Sequence, residues 1–238
     1  MDKQYLCDYL GKCNINLDEK AVNRLNKFYE LLVEWNSFMN LTGITEYKEV
    51  VVKHFIDSII LMNYYDFSSV KNIIDIGTGA GFPGLPLKIA MTDKDVTLLD
   101  SLAKRIKFLD EVIKVNELEG IKTIHSRAED GAHNKAHREV YDVAVSRAVA
   151  SLASLTEYCL PYVKVTGHFI AYKAGNVSDE VNASKNAIKL LGGQIVEIKE
   201  IVLPDSDIAR TFVIIKKINN TPVRYPRKAG VPTKEPLT

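Results

Sequence analysis

Ile73-Ile74-Asp75-Ile76-Gly77-Thr78-Gly79-Ala80-Gly81-Phe82-Pro83-Gly84-Leu85-Pro86 is the stretch that decides the fold. An apolar run ending in an acid, closely spaced glycines and a helix start marked by prolines describe a strand, a tight loop and a helix. The backbone of such a loop approaches a ligand closely, where side chains would stand in the way. Outward from it, short apolar strands alternate with amphipathic helices from Val70 on, the pattern of a mostly parallel sheet covered on both faces. Strands are expected near residues 71–76, 95–100, 121–124, 141–146, 165–172, 194–202 and 211–217, and helices near 84–91, 102–116, 151–162 and 177–191. The last two strands, joined through Pro204-Asp205, predict an antiparallel hairpin that closes the sheet.

Upstream, Leu25, Phe28, Leu31, Leu32, Trp35, Phe38 and Met39 recur at helical spacing, so residues 18–39 read as an amphipathic helix capped by Asp18. A second helix is expected from a Thr45 cap to about Tyr64, with Val51, Val52, Phe55 and Ile59 on its buried face. Downstream of Ile218 the chain is rich in proline and charge, which predicts no packed element.

Composition bounds the function. The 238 residues are 46% hydrophobic and 26% charged, ordinary for a globular protein with one catalytic domain and an appendage. The polar start and the lack of any run near 18 apolar residues predict a cytoplasmic protein with no membrane contact. Cys7, Cys13 and Cys159 have neither the even number nor the spacing of a disulfide framework or zinc site, and no metal is expected. Net charge is +1 but unevenly placed. From Lys216 on, six basic residues face the single acid Glu235, leaving 25 basic against 29 acidic in the first 215. A basic end of this kind can meet a polyanion while the rest stays soluble. Arg224, Arg227 and Lys228 are its candidate RNA contacts. Two other readings of the tail are an unstructured appendage and a cap in which Tyr225 and the prolines pack on the sheet.

The glycines alone leave two cofactors open. Residues 79–84 satisfy G-x-G-x-x-G and Asp100 follows Gly79 by 21 residues, as a dinucleotide enzyme requires. Against a nicotinamide oxidoreductase, Asp75 places a carboxylate where a pyrophosphate would lie, whereas a sulfonium ligand with an ammonium group favours one nearby. The G-x-G-x-G turn at Gly77, directly after the strand, resembles motif I of class I methyltransferases. Asp100, at the end of Val96-Thr97-Leu98-Leu99-Asp100, can accept both ribose hydroxyls or simply cap the helix that follows. Glu129, after the third strand, lies where an adenine edge would fall or is an exposed loop acid. No N-P-P-Y or D-P-P-Y follows the fourth strand, which argues against methylation of an exocyclic amine of the familiar type.

Further marks run through the chain: Trp35-Asn36 with Asn40-Leu41-Thr42, His54-Phe55-Ile56-Asp57-Ser58, Asp100-Ser101-Leu102-Ala103-Lys104-Arg105, Ser146-Arg147-Ala148-Val149-Ala150, Lys173-Ala174-Gly175, and Tyr225-Pro226-Arg227-Lys228-Ala229-Gly230-Val231-Pro232. With these the chain resembles, over nearly its whole length, the RsmG (GidB) family of small-subunit ribosomal RNA guanine N7-methyltransferases. Lys173-Ala174-Gly175 departs slightly from the family's Lys-Gly.

The resemblance implies an α/β class I methyltransferase: a Rossmann-like, doubly wound, mostly parallel seven-stranded sheet with an N-terminal helical extension. Its divisions would be an extension over 1–66, a catalytic domain over 67–218 and a basic tail over 219–238. The implied cofactor is S-adenosyl-L-methionine, held by Gly77, Phe82, Asp100, Ser101, Leu102, Ala128, Glu129 and Arg147. The implied target is N7 of a guanine in the 530-loop region of 16S ribosomal RNA, free or in an assembling small subunit, met by a monomer.

Guanine N7 carries an unprotonated lone pair, so methyl transfer there removes no proton and no general base is expected; positioning suffices. Arg147, Lys173 and Arg210 read as phosphate or guanine-edge contacts, with pocket ordering the alternative for Arg147. Asn40 reads as an active-site amide or as the stop of the first long helix, and Arg227 joins the RNA candidates. His54 reads as a half-buried core histidine, His133 and His137 as a solvated turn, and Asp205 and Asp207 as turn chemistry. A non-catalytic RNA-binding module on a relic fold is the third reading, opposed by the intact loop and Asp100.

Overall fold

The computed structural model describes residues 2–147 and 150–237; Ala148 and Val149, from the Ser146–Ala150 motif, lie outside them. Seven strands form one sheet: β1 (Asn72–Ile76), β2 (Asp95–Asp100), β3 (Ile121–His125), β4 (Tyr141–Ser146), β5 (Val163–Ala174), β6 (Gly193–Val202) and β7 (Ala209–Lys217). Their order is β3-β2-β1-β4-β5-β7-β6. Every neighbouring pair is parallel except β5–β7 and β6–β7. The expected hairpin therefore forms with β7 slipped inside, between β5 and the edge strand β6.

The strand order reverses between β1 and β4. In a doubly wound sheet the carboxyl ends of the strands at that switch open a crevice, here at Gly77 and Arg147. Ser146 Oγ ties the two ends together by donating to the Ile76 carbonyl at 2.8 Å.

On one face α1 (Lys3–Lys12), α2 (Glu19–Met39) and the helical stretch 47–63 share a core with α5 (Gly84–Ala90) and α6 (Ala103–Val115). Leu6, Leu25, Phe28 and Phe55 of the extension are fully buried in the same cluster as Leu85 and Phe108. Asp18 caps α2 as expected, accepting from Ala21 N at 2.7 Å. The helix α1, not anticipated, is short, with only Leu6, Tyr9 and Leu10 buried. The second expected helix differs in kind. Glu46, not Thr45, caps α3 (Tyr47–Val50), which opens into a π-helical turn over Val51–Ile56 before α4 (Asp57–Ile59) and a 3-10 turn at Ile60–Asn63. A wide turn inside a helix is a frequent feature of functional sites, and this one carries His54 and ends against Asp57.

The other face holds α7 (Ala128–His133), α8 (Leu152–Cys159) and α9 (Ser178–Leu190). The C-terminal segment packs there too, which corrects the expectation of an unpacked tail. Tyr225 and Pro232 are buried, and α10 (Val231–Lys234) forms a last turn. Arg138 donates to the carbonyls of Thr221 and Tyr225, and His133 Nε2 meets the Pro226 carbonyl at 2.9 Å. Proline and charge were misleading here because the carbonyls of the segment find cationic and ring N–H donors on the body of the protein. Lys217, counted with the basic tail, is wholly buried against Glu139. Among the described residues no helix is long and apolar enough to cross a membrane.

Candidate active site

Two adjoining cavities open at the switch point and share Gly77 and Arg105. The smaller, about 360 Å³, runs along the ends of β2 and β3 past Asp100, Ser101, Ala128 and Glu129. The larger, about 860 Å³, lies over the glycine loop and is lined by Thr42, Lys53, His54, Asp57, Phe82, Arg147, Tyr172, Lys173 and Arg210. Both are of ligand-binding size.

The loop between β1 and α5 is built around Asp75. Its Oδ2 accepts from Thr78 Oγ1 at 2.6 Å and from Gly84 N at 2.8 Å, which draws the start of α5 back onto the strand end. The side chain is wholly buried, its Oδ1 has no hydrogen-bond partner among the described residues, and burial pushes its pKa up to about 6. Asp75, expected as a carboxylate near a cationic ligand, thus acts behind the loop, holding it in place. In front of it, Gly77 and Gly79 take φ of +71° and +61°, and a Cβ on either would project into open space. The open space leaves a cradle along which a ligand can approach the backbone.

Asp100 ties the glycine loop to the head of α6, close to the capping reading of its sequence. Oδ2 accepts from Gly79 N at 3.0 Å and lies 3.3 Å from Arg105 Nη1, while Oδ1 accepts from Leu102 N at 2.9 Å, at the head of α6. The carboxylate is 2% exposed and borders the smaller cavity, so it fixes the loop and the head of α6 at the cavity's edge. Glu129, expected as an adenine contact or a loop acid, is buried at the start of α7 in the same cavity. Exposed Ser101 and half-buried Ala128 line the same cavity, whereas Leu102, exposed at the head of α6, is in the lining of neither cavity.

On the larger cavity, one buried carboxylate organises the cations. Asp57 is 1% exposed; its Oδ2 accepts from Arg147 Nη1 and its Oδ1 from Arg210 Nε, both at 2.6 Å. Sequence reasoning placed Arg147 and Arg210 but missed Asp57; the available signal was an acid inside the apolar run Phe55-Ile56-Asp57-Ser58-Ile59-Ile60. Lys173 reaches the Ala150 carbonyl at 3.1 Å and Glu180 at 2.7 Å. The Arg147 guanidinium also lies 5.2 Å from the centre of the Phe82 ring, against which His54 stacks at 4.5 Å. His54 Nε2 meets Thr42 Oγ1 at 2.9 Å; burial, and then the nearby Arg147, push its pKa down to about 4, so it is neutral at pH 7.

Two expected residues lie elsewhere. Asn40 stands outside the cavity lining, exposed, as the left-handed stop of α2 with φ of +51°. Arg227 also stands outside the cavity lining, half-buried: its Nε and Nη2 grip the carboxylate of Glu157, which is fully buried on α8. No cluster of metal-ligating side chains occurs among the described residues.

The comparisons with known proteins agree with this geometry. A sequence model of the GidB family, described as rRNA small subunit methyltransferase G, matches residues 21–209. Proteins named ribosomal RNA small subunit methyltransferase G are similar over almost the whole chain. The one from Clostridium tetani is 51% identical, covering 97% of this chain and 95% of its own. That of Alkaliphilus metalliredigens is 48% identical, covering 99% and 98%. Among solved structures, M. jannaschii TYW2 in complex with AdoMet superposes with a TM-score of 0.51 at 15% identity, covering 63% of this chain and 70% of its own. A mutant of MtNAS in complex with S-adenosylmethionine gives 0.55 at 16%, covering 82% and 75%. At such identities the likeness is one of fold, that of the class I methyltransferases.

Proposed function

Since the chain belongs to the GidB family of small-subunit rRNA methyltransferases, we propose that it transfers a methyl group from S-adenosylmethionine to N7 of a guanine in the 530-loop region of 16S ribosomal RNA. The observation that carries this reading is the meeting of two unlike cavities at Gly77 and Arg105: one bordered by the carboxylates of Asp100 and Glu129 at the strand ends, the other lined with cations.

The smaller cavity fits the cofactor. Gly77, which lines both cavities, leaves room for it along the backbone, as Gly79 does on the side of the larger cavity, and Asp100 and Glu129 offer carboxylate acceptors at its adenosine end. When bound, S-adenosylmethionine supplies an electrophilic methyl carbon on a sulfonium. Across the junction, Arg147 and Arg210 turn donors toward the larger cavity, where guanidinium groups suit guanine O6 and phosphate oxygens. Phe82 and neutral His54 give that cavity an aromatic floor on which a base can stack. The carboxylates lining it, Asp57 and Glu180, are both paired to cations, so neither is a free base. That suits an acceptor which loses no proton, and it leaves positioning as the work of the site. Lys53, which lines the cavity, and Arg224 and Lys228, exposed on the C-terminal segment, are the further cations assigned to RNA, for a monomer acting in the cytoplasm. No observation favours the nicotinamide or relic readings.

The test is to map N7-methylguanine in the small-subunit RNA of a strain lacking the gene, and to offer the purified protein naked RNA and particles. A methylated guanine that disappears with the gene and returns on incubation supports the proposal. Unchanged modification rejects it.

A further inference from the structure

The smaller cavity has a wall that belongs to neither the glycine loop nor the strand ends. Gly230 and Thr233 of the C-terminal segment line it, facing Asp100 and Glu129. Gly230 N donates to Glu129 Oε1 at 2.8 Å, and the hydroxyls of Thr233 and Tyr158, another lining residue, lie 2.6 Å apart. The segment is anchored just behind this contact. Arg227 places Nε and Nη2 on the Glu157 carboxylate at 3.0 and 2.7 Å, its own backbone N on Oε1 at 2.7 Å, and Nη2 also on the Glu235 carbonyl. Ser154 Oγ, on the same helix, donates to the Pro232 carbonyl at 2.7 Å. A fully buried carboxylate on a helix is costly unless it is paired. Each hydrogen bond described for Glu157 comes from Arg227, so its office is to fix where the segment runs.

We propose that residues 225–235 form part of the cofactor site. The Glu157–Arg227 pair positions the segment, Gly230 orients Glu129, and Thr233 with Tyr158 closes the adenosine end, so docking of the segment and binding of the cofactor reinforce each other. This rests on the reading of the smaller cavity as the S-adenosylmethionine pocket. It makes Arg227 a positioning residue and explains why a chain so basic at its end turns that arginine inward.

The experiment uses the full chain and two probes that share the adenosine end: S-adenosylhomocysteine, and methylthioadenosine, which lacks the amino-acid half. Arg227→Lys keeps the charge and loses the two-pronged grip. It should weaken both probes by the same factor, about tenfold, as removal of an orienting partner does. Limited trypsin digestion supplies a readout independent of catalysis: cleavage after Lys228 should slow when S-adenosylhomocysteine saturates the wild type, and should quicken in Arg227→Lys without ligand. Thr233→Trp, at an exposed position with little bearing on folding, should weaken both probes by filling the adenosine end. Arg227→Lys and Thr233→Trp with wild-type affinities, or cleavage indifferent to the ligand, would show that the segment only caps the fold and would overturn the proposal. Failure of the wild type to bind either probe would instead remove the cofactor pocket itself.

Discussion

Asp57 and Arg147, 90 residues apart in sequence, meet at 2.6 Å between Oδ2 and Nη1, and the other oxygen of the same carboxylate holds Arg210 at the same distance. The two arginines come from the ends of β4 and β7, and the carboxylate from the helical layer above them. The N-terminal extension is therefore more than a cover for the sheet: it sets the direction of the cations in the crevice.

Removing that carboxylate should cost both stability and function. Asp57→Ala is expected to destabilise the fold by about 2–3 kcal/mol, less than the full cost of orphaning a buried charge because both guanidinium groups keep some solvent. Asp57→Asn keeps the shape and should separate the effects: a smaller fall in melting temperature, with methylation of RNA lowered at least about tenfold through misdirected donors. A double-mutant cycle of Asp57→Asn with Arg210→Lys should be strongly non-additive. Additive losses would show that the two act apart.

The glycine loop offers a sharper separation. Gly79 has φ of +61° and faces open space, so Gly79→Val combines a strained backbone with a side chain in the cradle. Calorimetry should find cofactor binding abolished while the ligand-free protein still melts cooperatively. Asp100→Ala should weaken cofactor binding by about 1.5–3 kcal/mol, and it should also lower stability, since Gly79 N and Leu102 N lose their acceptor. Wild-type affinity in either variant would remove the loop from the cofactor site.

The sheet was legible in the sequence because strands such as Val96–Asp100 and Val143–Ser146 are apolar along most of their length, without strict alternation, the mark of parallel strands buried on both sides. The glycine loop and Asp100 were legible for a related reason: local chemistry at a strand end has few alternatives. What failed was whatever depends on a distant partner. Asp57 and Glu157 each look like a stray acid in an apolar helix until Arg147, Arg210 and Arg227 arrive from far along the chain. The tail misled in the same way, since its composition says loop while Tyr225, Pro232 and Arg227 find a prepared surface. The π-helical turn at Val51–Ile56 leaves no signature in periodicity, because a widened turn still presents apolar residues to the core.

Two buried groups make opposite predictions for pH. Asp75 has its pKa raised from 3.8 to about 6, mainly by burial, so between those values the native state binds more protons than the unfolded chain and stability falls as pH rises. His54 has its pKa lowered from 6.5 to about 4, so in nearly the same window the unfolded chain binds more protons and stability rises with pH. Each contribution is roughly 3 kcal/mol in full and the two largely cancel. Relative to wild type, Asp75→Asn should therefore steepen the gain of stability from pH 4 to 6, and His54→Gln should turn it toward a loss. Urea titrations across that range check both signs, and parallel curves for all three proteins would contradict the burial of these groups.

The RNA face can be dissected by salt. Arg210 lines the crevice, while Arg224 and Lys228 are exposed on the C-terminal segment and Arg227 is committed to Glu157. If the crevice holds the RNA backbone, Arg210→Ala should leave cofactor affinity near wild type, weaken RNA binding, and make the slope of log affinity against log salt shallower by about 0.7 for one lost single-strand contact. Arg224→Ala with Lys228→Ala should shallow it by up to about 1.4 if the segment reaches the same strand, with little change in melting temperature because neither residue is buried. Arg227→Ala should behave differently, lowering stability first and altering the salt slope least, because its charge is already neutralised by Glu157. An Arg210 variant with full RNA affinity and an unchanged slope would move the backbone contact away from the crevice.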